Sequence, residues 1–175
     1  MPSVDISVRE ASIEDVDVLA HIGSSSFRDA YQDHSNLNDI ESHINEYFTA
    51  TAVRNEIEQQ RCRYLLALVD GESAGLAKVR RAACPVAGGT ANAVELQQLY
   101  VLSTMQRHGL GRRLITDVVA FAQENATEGV WLSAWEFADW ATSFYKRNGF
   151  TTLGKVDFKL GTTTYIDLLM WRPLE

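Results

Sequence analysis

Glu95-Leu96-Gln97-Gln98-Leu99-Tyr100-Val101, followed after a short loop by Gln106-Arg107-His108-Gly109-Leu110-Gly111-Arg112, is the stretch that decides the fold. Val94 to Val101 reads as a strand. A glycine-containing turn then opens a helix over Gly109 to Asn125. In that helix Leu110, Leu114, Val118 and Ala122 recur every four residues, and Ile115, Val119 and Phe121 widen the apolar stripe. A stripe that wide predicts a helix buried on much of its surface. The first N–H groups of such a helix have no intrahelical partner and, with the macrodipole, form an anion site. Gly109 and Gly111 let a ligand approach the backbone closely, and Arg107 and Arg112 add positive charge at the mouth. A phosphate-bearing ligand is the natural occupant. A dinucleotide fingerprint is excluded because Leu114 stands at the third glycine position, and no G-x-x-x-x-G-K-[ST] phosphate loop is present.

Outward from that unit, strand and helix patterns alternate. Upstream, Ile6 and Val8 suggest a short strand. Ser12-Ile13-Glu14-Asp15 looks like a helix start, followed by Val16, Leu19, Ala20, Gly23 and Phe27 at helical spacing. Leu37 to Phe48 and Ala52 to Gln60 read as acid-rich helices. Arg63 to Val69 and Ala74 to Val79 form strands around an Asp70-Gly71-Glu72 turn, and Cys84 to Ala93 is a loop. Downstream come a strand at Val130 to Ala134 and a helix at Asp139 to Asn148 ending at Gly149. Strands at Thr151 to Phe158 and Thr163 to Met170 close the chain. The expected fold is α/β (α+β): a single mixed, mostly antiparallel twisted sheet of six or seven strands with helices on both faces.

The 175 residues suit one domain spanning 1–175. With 46% hydrophobic and 22% charged residues, disorder, collagen and coiled coil are excluded as the main state. No apolar run is long enough for a membrane span, and Met1 to Glu10 lacks the apolar core of a signal peptide. The cytoplasm is the default compartment, which two cysteines without metal spacing, Cys62 and Cys84, also suit. The net charge of −7 argues against general affinity for nucleic acid or anionic membrane. The charge is uneven. Residues 1–60 carry 12 acids and 3 bases, and residues 61–175 carry 11 acids and 13 bases. An acidic N-terminal part attracts a cationic ligand, or is simply a set of solvated helix faces.

Q-x-x-G-x-G after a strand ending Leu99-Tyr100-Val101, with Phe144-Tyr145-x-x-x-Gly149-Phe150 downstream, resembles the GNAT family of acetyl-CoA-dependent N-acetyltransferases. Within it, the chain is similar to PaiA-type polyamine N-acetyltransferases. The residues behind that are Phe27-Arg28-Asp29-Ala30-Tyr31, Glu95 to Val101, Gln106 to Gly111, Trp131-Leu132-Ser133-Ala134-Trp135-Glu136 and Asp167-Leu168-Leu169-Met170.

The resemblance implies a division of labour. Gln106, Arg107, His108, Gly109, Leu110, Gly111 and Arg112 would hold the pyrophosphate of CoA. The backbone of Leu99, Tyr100 and Val101 would pair with the pantetheine arm like an added strand. The Val101 N–H would face the thioester oxygen, where attack by an amine develops negative charge. Tyr145 would protonate the departing thiolate. Glu95 stands where some members carry a general base. A carboxylate is a poor acceptor for an alkylammonium proton unless burial or a relay helps, so Glu95 is read either as that base, positioning a water or the ammonium group, or as a structural partner for a nearby arginine or backbone group. Gln97, on the same strand face, lines the cleft but is no base. One position departs from the family: Trp140 stands where many members carry an asparagine that hydrogen-bonds CoA, and an indole cannot accept. Trp140 would pack on the pantetheine instead.

For the acceptor, Phe27, Tyr31 and Trp135 are the candidate contacts, with Asp29, Asp33, Asp39, Glu41, Glu46 and Glu136 nearby in sequence. Acids with aromatics suit a cationic amine. The leading expectation is acetyl transfer to a small primary amine such as spermidine or spermine by direct attack in a ternary complex, without metal. A protein N-terminal or lysine amine, an amine metabolite or antibiotic, and a CoA-binding regulatory module without turnover are the alternatives. The last strand, ending Trp171-Arg172-Pro173, is free to pair within the chain or with a second copy, which leaves a homodimer open.

Overall fold

A computed structural model describes residues 4–175. The elements are β1 (Ile6–Glu10), α1 (Val16–Tyr31), α2 (Leu37–Tyr47), α3 (Ala50–Glu58), β2 (Arg63–Val69), β3 (Glu72–Arg81), β4 (Ala93–Val101), α4 (Leu110–Glu124), β5 (Gly129–Trp135), α5 (Asp139–Arg147), β6 (Thr151–Leu160) and β7 (Thr163–Pro173). The strands hydrogen-bond in the order β1-β2-β3-β4-β5-β7-β6. The pair β4–β5 is parallel, as a crossover through α4 requires. The pairs β1–β2, β5–β7 and β6–β7 are antiparallel. Each expected strand and helix is present, with ends shifted by a few residues.

Local chemistry sets the boundaries. Ser12 caps a 3-10 turn ahead of α1: its hydroxyl accepts from the Glu14 N–H, and the Asp15 carboxylate accepts from the Ser12 N–H at 2.8 Å. Arg9 grips the same carboxylate with two bonds of 2.8 Å. Asn36 and Thr49 cap α2 and α3. At the β2–β3 turn Asp70 and Gly71 both have positive φ, 50° and 84°, the twist that matches a tight hairpin.

The chain forms two compact units. One takes the chain up to Lys78 together with Gln98–Leu114; the other takes Val79–Gln97 and Ile115–Glu175. In the first, Val16, Leu19, Ala20 and Ile22 of α1 bury against Val53, Tyr64, Leu66 and Leu76. A polar knot is built into that core. Glu56 of α3 accepts from the Tyr64 hydroxyl at 2.6 Å and from Lys78 at 2.7 Å, and Lys78 is only 6% exposed. In the second unit, Ala93, Trp131, Leu169 and Trp171 form the core, with Cys84, Val86, Leu153 and Val156 packed on it. Strand β7 pairs with β5 on one side and β6 on the other. From Asp167 to Trp171 the last strand is therefore paired within the chain on both edges.

Candidate active site

The pairing of β4 with β5 covers only Ala93–Glu95 against Gly129–Trp131. Strand β4 itself runs on to Val101. Its β3 side stays occupied: the Leu102 N–H bonds the Ala74 carbonyl at 2.9 Å, and a Cβ on Gly75 would meet the Tyr100 carbonyl at 2.8 Å. On the other edge the pairing with β5 ends at Glu95. Further along, the Val101 carbonyl accepts from the Gln106 side-chain amide at 3.4 Å.

The loop into α4 carries the next part. Arg107 and Gly109 have positive φ, 73° and 79°. Gln106, Arg107, His108, Gly109 and Arg112 are exposed, Gly111 is half-buried, and Leu110 anchors the turn in the core. The His108 ring Nδ1 lies 3.2 Å from the Met105 carbonyl. A Cβ on Gly109 would meet nothing within 4 Å. The glycine is therefore needed for its left-handed backbone, not for close packing against protein. The first turn of α4 carries no acid, so no carboxylate opposes the dipole there. An exposed helix start flanked by Arg107 and Arg112 fits a pyrophosphate.

On the same unit, α1 and α2 bring an aromatic cluster together. Phe27 lies 4.6 Å from Tyr31 and 4.6 Å, stacked, from His43, and Phe48 lies 5.4 Å from Phe27 and 6.1 Å from Tyr100. Burial depresses the His43 pKa, with the Glu46 charge opposing it. Phe27 is 3% exposed, so it is the core end of the cluster, and half-buried Tyr31 is the end a ligand can reach. Among the acids, Glu41 is taken by Arg28 through bonds of 2.7 and 3.1 Å.

The second unit holds the remaining candidates. Tyr145, on α5, packs edge-on against Phe144 and Phe150. Burial raises its phenol pKa, so the proton stays on through the neutral range. Trp140 is 73% exposed and Phe137 71%, both unusual for large apolar residues. Trp135 meets Phe137 and Tyr165 edge-on at 5.7 and 5.9 Å. Glu136 is held by Lys155 at 2.8 Å. Glu95 is bound by the Arg80 Nε at 2.5 Å, the arginine partner that the second of its two readings anticipated.

A family model for the acetyltransferase (GNAT) domain matches residues 28–164. The chain belongs to the GNAT acetyltransferase family. It is an acetyl-CoA-dependent N-acetyltransferase with the mixed α/β fold of that family. A curated protein described as an uncharacterized N-acetyltransferase in the pepI 3′ region of Lactobacillus delbrueckii subsp. lactis is 23% identical over 169 residues, covering 97% of this chain and 98% of that one. The crystal structure of the PaiA N-acetyltransferase from Thermoplasma acidophilum in complex with coenzyme A superposes with a TM-score of 0.78 at 23% identity, over 97% of this chain and 99% of that one. A GCN5-related N-acetyltransferase from Rhodopseudomonas palustris gives 0.78 at 17% identity, over 99% of both. Among the described residues no group of three or more His, Cys, Asp or Glu is placed to hold a metal, and no helix is long and apolar enough to cross a membrane.

One residue of this GNAT chain escaped the sequence reading as a site residue. Asp167 is 5% exposed, and its Oδ1 has no hydrogen-bond partner among the described residues. The signal for it was a lone acid inside the apolar run Tyr165-Ile166-Asp167-Leu168-Leu169-Met170.

Proposed function

We propose that the whole chain is one acetyltransferase domain that moves acetyl from acetyl-CoA to the primary amine of a small cationic molecule, with a polyamine such as spermidine or spermine as the leading acceptor. The observation that carries the reading is β4. Its pairing with β5 ends at Glu95, and the strand leads on into an exposed helix start entered through left-handed Gly109. The backbone of Leu99, Tyr100 and Val101 holds the pantetheine arm, and the Val101 N–H faces the thioester oxygen. Gln106 to Arg112 hold the pyrophosphate, and Trp140 offers its exposed indole to the cofactor. When bound, acetyl-CoA supplies the activated acetyl group.

Tyr145, kept protonated by burial, donates its proton to the leaving sulfur. Glu95 orients the acceptor side while tied to Arg80. Tyr31 and Trp135 supply aromatic edges to a cationic amine, backed by buried Phe27. Support for a polyamine rather than a protein amine comes from the acid excess of residues 1–60 and from the PaiA-like motifs. A cytoplasmic site of action suits both the acceptor and the two free thiols.

The test is thiol release from acetyl-CoA with spermidine, spermine, putrescine, a lysine peptide and an aminoglycoside, against a no-amine control. Selective release with spermidine or spermine supports the reading. Release only with the peptide or the antibiotic keeps the enzyme and discards the polyamine. In the same assay Tyr145→Phe is expected to lower kcat about 100-fold with acetyl-CoA affinity retained. Unchanged kcat removes the proton-donor role.

A further inference from the structure

An alkylammonium must lose a proton before its nitrogen can attack, and Glu95 is poorly suited to take it. Its carboxylate is already engaged by the Arg80 Nε at 2.5 Å. Strand register puts a second carboxylate on the same sheet face, within one unit of the structure. Glu95 pairs with Trp131 across β4–β5, so Glu95, Trp131, Ser133 and Trp135 share one face. Across β5–β7, Ser133 pairs with Leu169 and Trp135 with Asp167, which places Asp167 on that face too. Tyr165, two residues before Asp167, joins it, and its ring meets Trp135 at 5.9 Å.

Asp167 differs from the molecule's other carboxylates in what surrounds it. The side chain is buried, and Oδ1 has no hydrogen-bond partner among the described residues. Ser133, diagonal to it across β5–β7, is the neighbouring hydroxyl on that face. Ser133, unlike Asp167, is exposed. The arrangement is a buried acceptor with an exposed hydroxyl as its outlet, between two aromatic edges. Burial pushes the Asp167 pKa up, with the Ser133 hydroxyl opposing it, and makes it a better proton acceptor than a solvated carboxylate.

We propose that Ser133 and Asp167 form a relay that deprotonates the acceptor amine. The ammonium N–H bonds the Ser133 oxygen. One proton passes from nitrogen to that oxygen while the hydroxyl proton passes to the Asp167 carboxylate. Nitrogen keeps its bonding pair as the lone pair that attacks, Ser133 ends unchanged, and Asp167 ends neutral. Ser133 is then a catalytic residue and Asp167 a positioning residue acting through it. This rests on the amine-acetyltransferase reading above and adds to it the identity of the proton acceptor.

The experiment compares two acceptors of one skeleton: the alkylamine giving most thiol release with the unsubstituted protein, and its aminooxy analogue, whose reacting nitrogen is already neutral at pH 7. Asp167→Asn is expected to lower kcat about 100-fold with the alkylamine and less than about threefold with the analogue. The KM for acetyl-CoA is expected to stay unchanged. Asp167→Glu is expected to recover part of the alkylamine rate. Ser133→Ala, at an exposed position, provides a second reading should Asp167→Asn not fold, and is expected to show the same selectivity. Equal losses with both acceptors, or no loss with either, overturn the relay while leaving the enzyme's function intact. No thiol release by the unsubstituted protein with either amine overturns the functional reading and the relay with it.

Discussion

Two buried polar centres in this protein are built in opposite ways. Glu56, in the first unit, is saturated. It accepts from the Tyr64 hydroxyl at 2.6 Å, from Lys78 at 2.7 Å and more weakly from the Cys62 thiol at 3.8 Å. Lys78 also lies 5.7 Å from the Tyr64 ring centroid. Those partners come from α3, β2 and β3, so the knot ties the helix to two strands. Asp167, in the second unit, has an orphaned oxygen, with the Ser133 hydroxyl as a neighbour on the same face. Folds rarely leave a buried carboxylate oxygen unpaired, because desolvation then goes uncompensated. Satisfaction marks the Glu56 centre as holding the structure together. The missing partner marks Asp167 as kept for something other than stability.

The largest expected effect tests the first half of that contrast. Lys78→Ala leaves Glu56 half-satisfied beside a cavity and is expected to destabilise the fold by about 3 kcal/mol. That lowers Tm by roughly 6–12 °C for a chain of this size. Thiol release per folded molecule is expected to stay within about twofold, since truncating one partner of a buried pair costs stability rather than chemistry here. A Tm shift of a degree or less, or a collapse of turnover in folded protein, would dissolve the contrast.

Asp167→Asn is expected to act with the opposite sign on stability. Burial raises the folded-state pKa of Asp167. A carboxyl raised in the folded state destabilises the fold wherever it is ionised, and the cost fades as pH falls through the raised pKa. An amide is cheaper to bury unpaired than a charge. The variant is therefore expected to be about 1 kcal/mol more stable at pH 7, roughly 2–4 °C in Tm. The gain should shrink as the pH is lowered toward the ordinary carboxylate range. The same-face neighbours include Ser133 and Trp135 on β5, Val156 on β6 and Tyr165 on β7, with Glu95 of β4 on that face as a second titratable group. A more stable, less active Asp167→Asn beside a less stable, active Lys78→Ala is the double dissociation the structure calls for. Thermal melts at pH 7 and pH 5 read it.

How much of this was legible in the sequence follows from the range of the interactions. Patterns carried by near neighbours were readable: the α4 stripe, the Ser12 cap, the Asp70-Gly71 hairpin and the Gly109 turn. So were the seven strands, although β3 and β7 extend further than their apolar cores suggested. Features set by cross-strand partners were not. Phe27 looks like a ligand contact until His43 and Phe48 close over it. Glu95 is ambiguous until Arg80, fifteen residues back, meets it across β3 and β4. Asp167 looks like one more motif residue until its register against Trp135 and Val156 shows it enclosed.

A second satisfied carboxylate gives a smaller, local version of the Glu56 case. Asp15 closes the capping box with Ser12 and binds Arg9, and the Arg9 bond holds its pKa down to about 2. A depressed folded-state pKa adds stability that is fully present above the ordinary carboxylate value and is lost as pH falls through about 2. Asp15→Asn is expected to cost about 1 kcal/mol at pH 7, chiefly through the cap. The gap to the unsubstituted protein should stay constant from pH 7 to pH 5 and close only below about pH 4. A gap that closes near neutral pH would mean another group controls it.

The smallest expected effect decides between the two carboxylates of the active face. The Arg80–Glu95 pair has an arginine side chain that is 46% exposed, so breaking it with Glu95→Gln is expected to change stability by less than about 0.5 kcal/mol. Its kinetic effect then ranks the candidates cleanly. A carboxylate that only orients the acceptor, already neutralised by Arg80, is expected to cost less than about tenfold in kcat when replaced by an amide that keeps the hydrogen-bonding shape. A carboxylate that takes the proton is expected to cost about 100-fold or more, and only with acceptors that arrive protonated. Placing Glu95→Gln beside Asp167→Asn with the same alkylamine and aminooxy acceptors therefore assigns the base without a structure of the complex. The residue whose loss is selective for the protonated acceptor is the one that receives its proton.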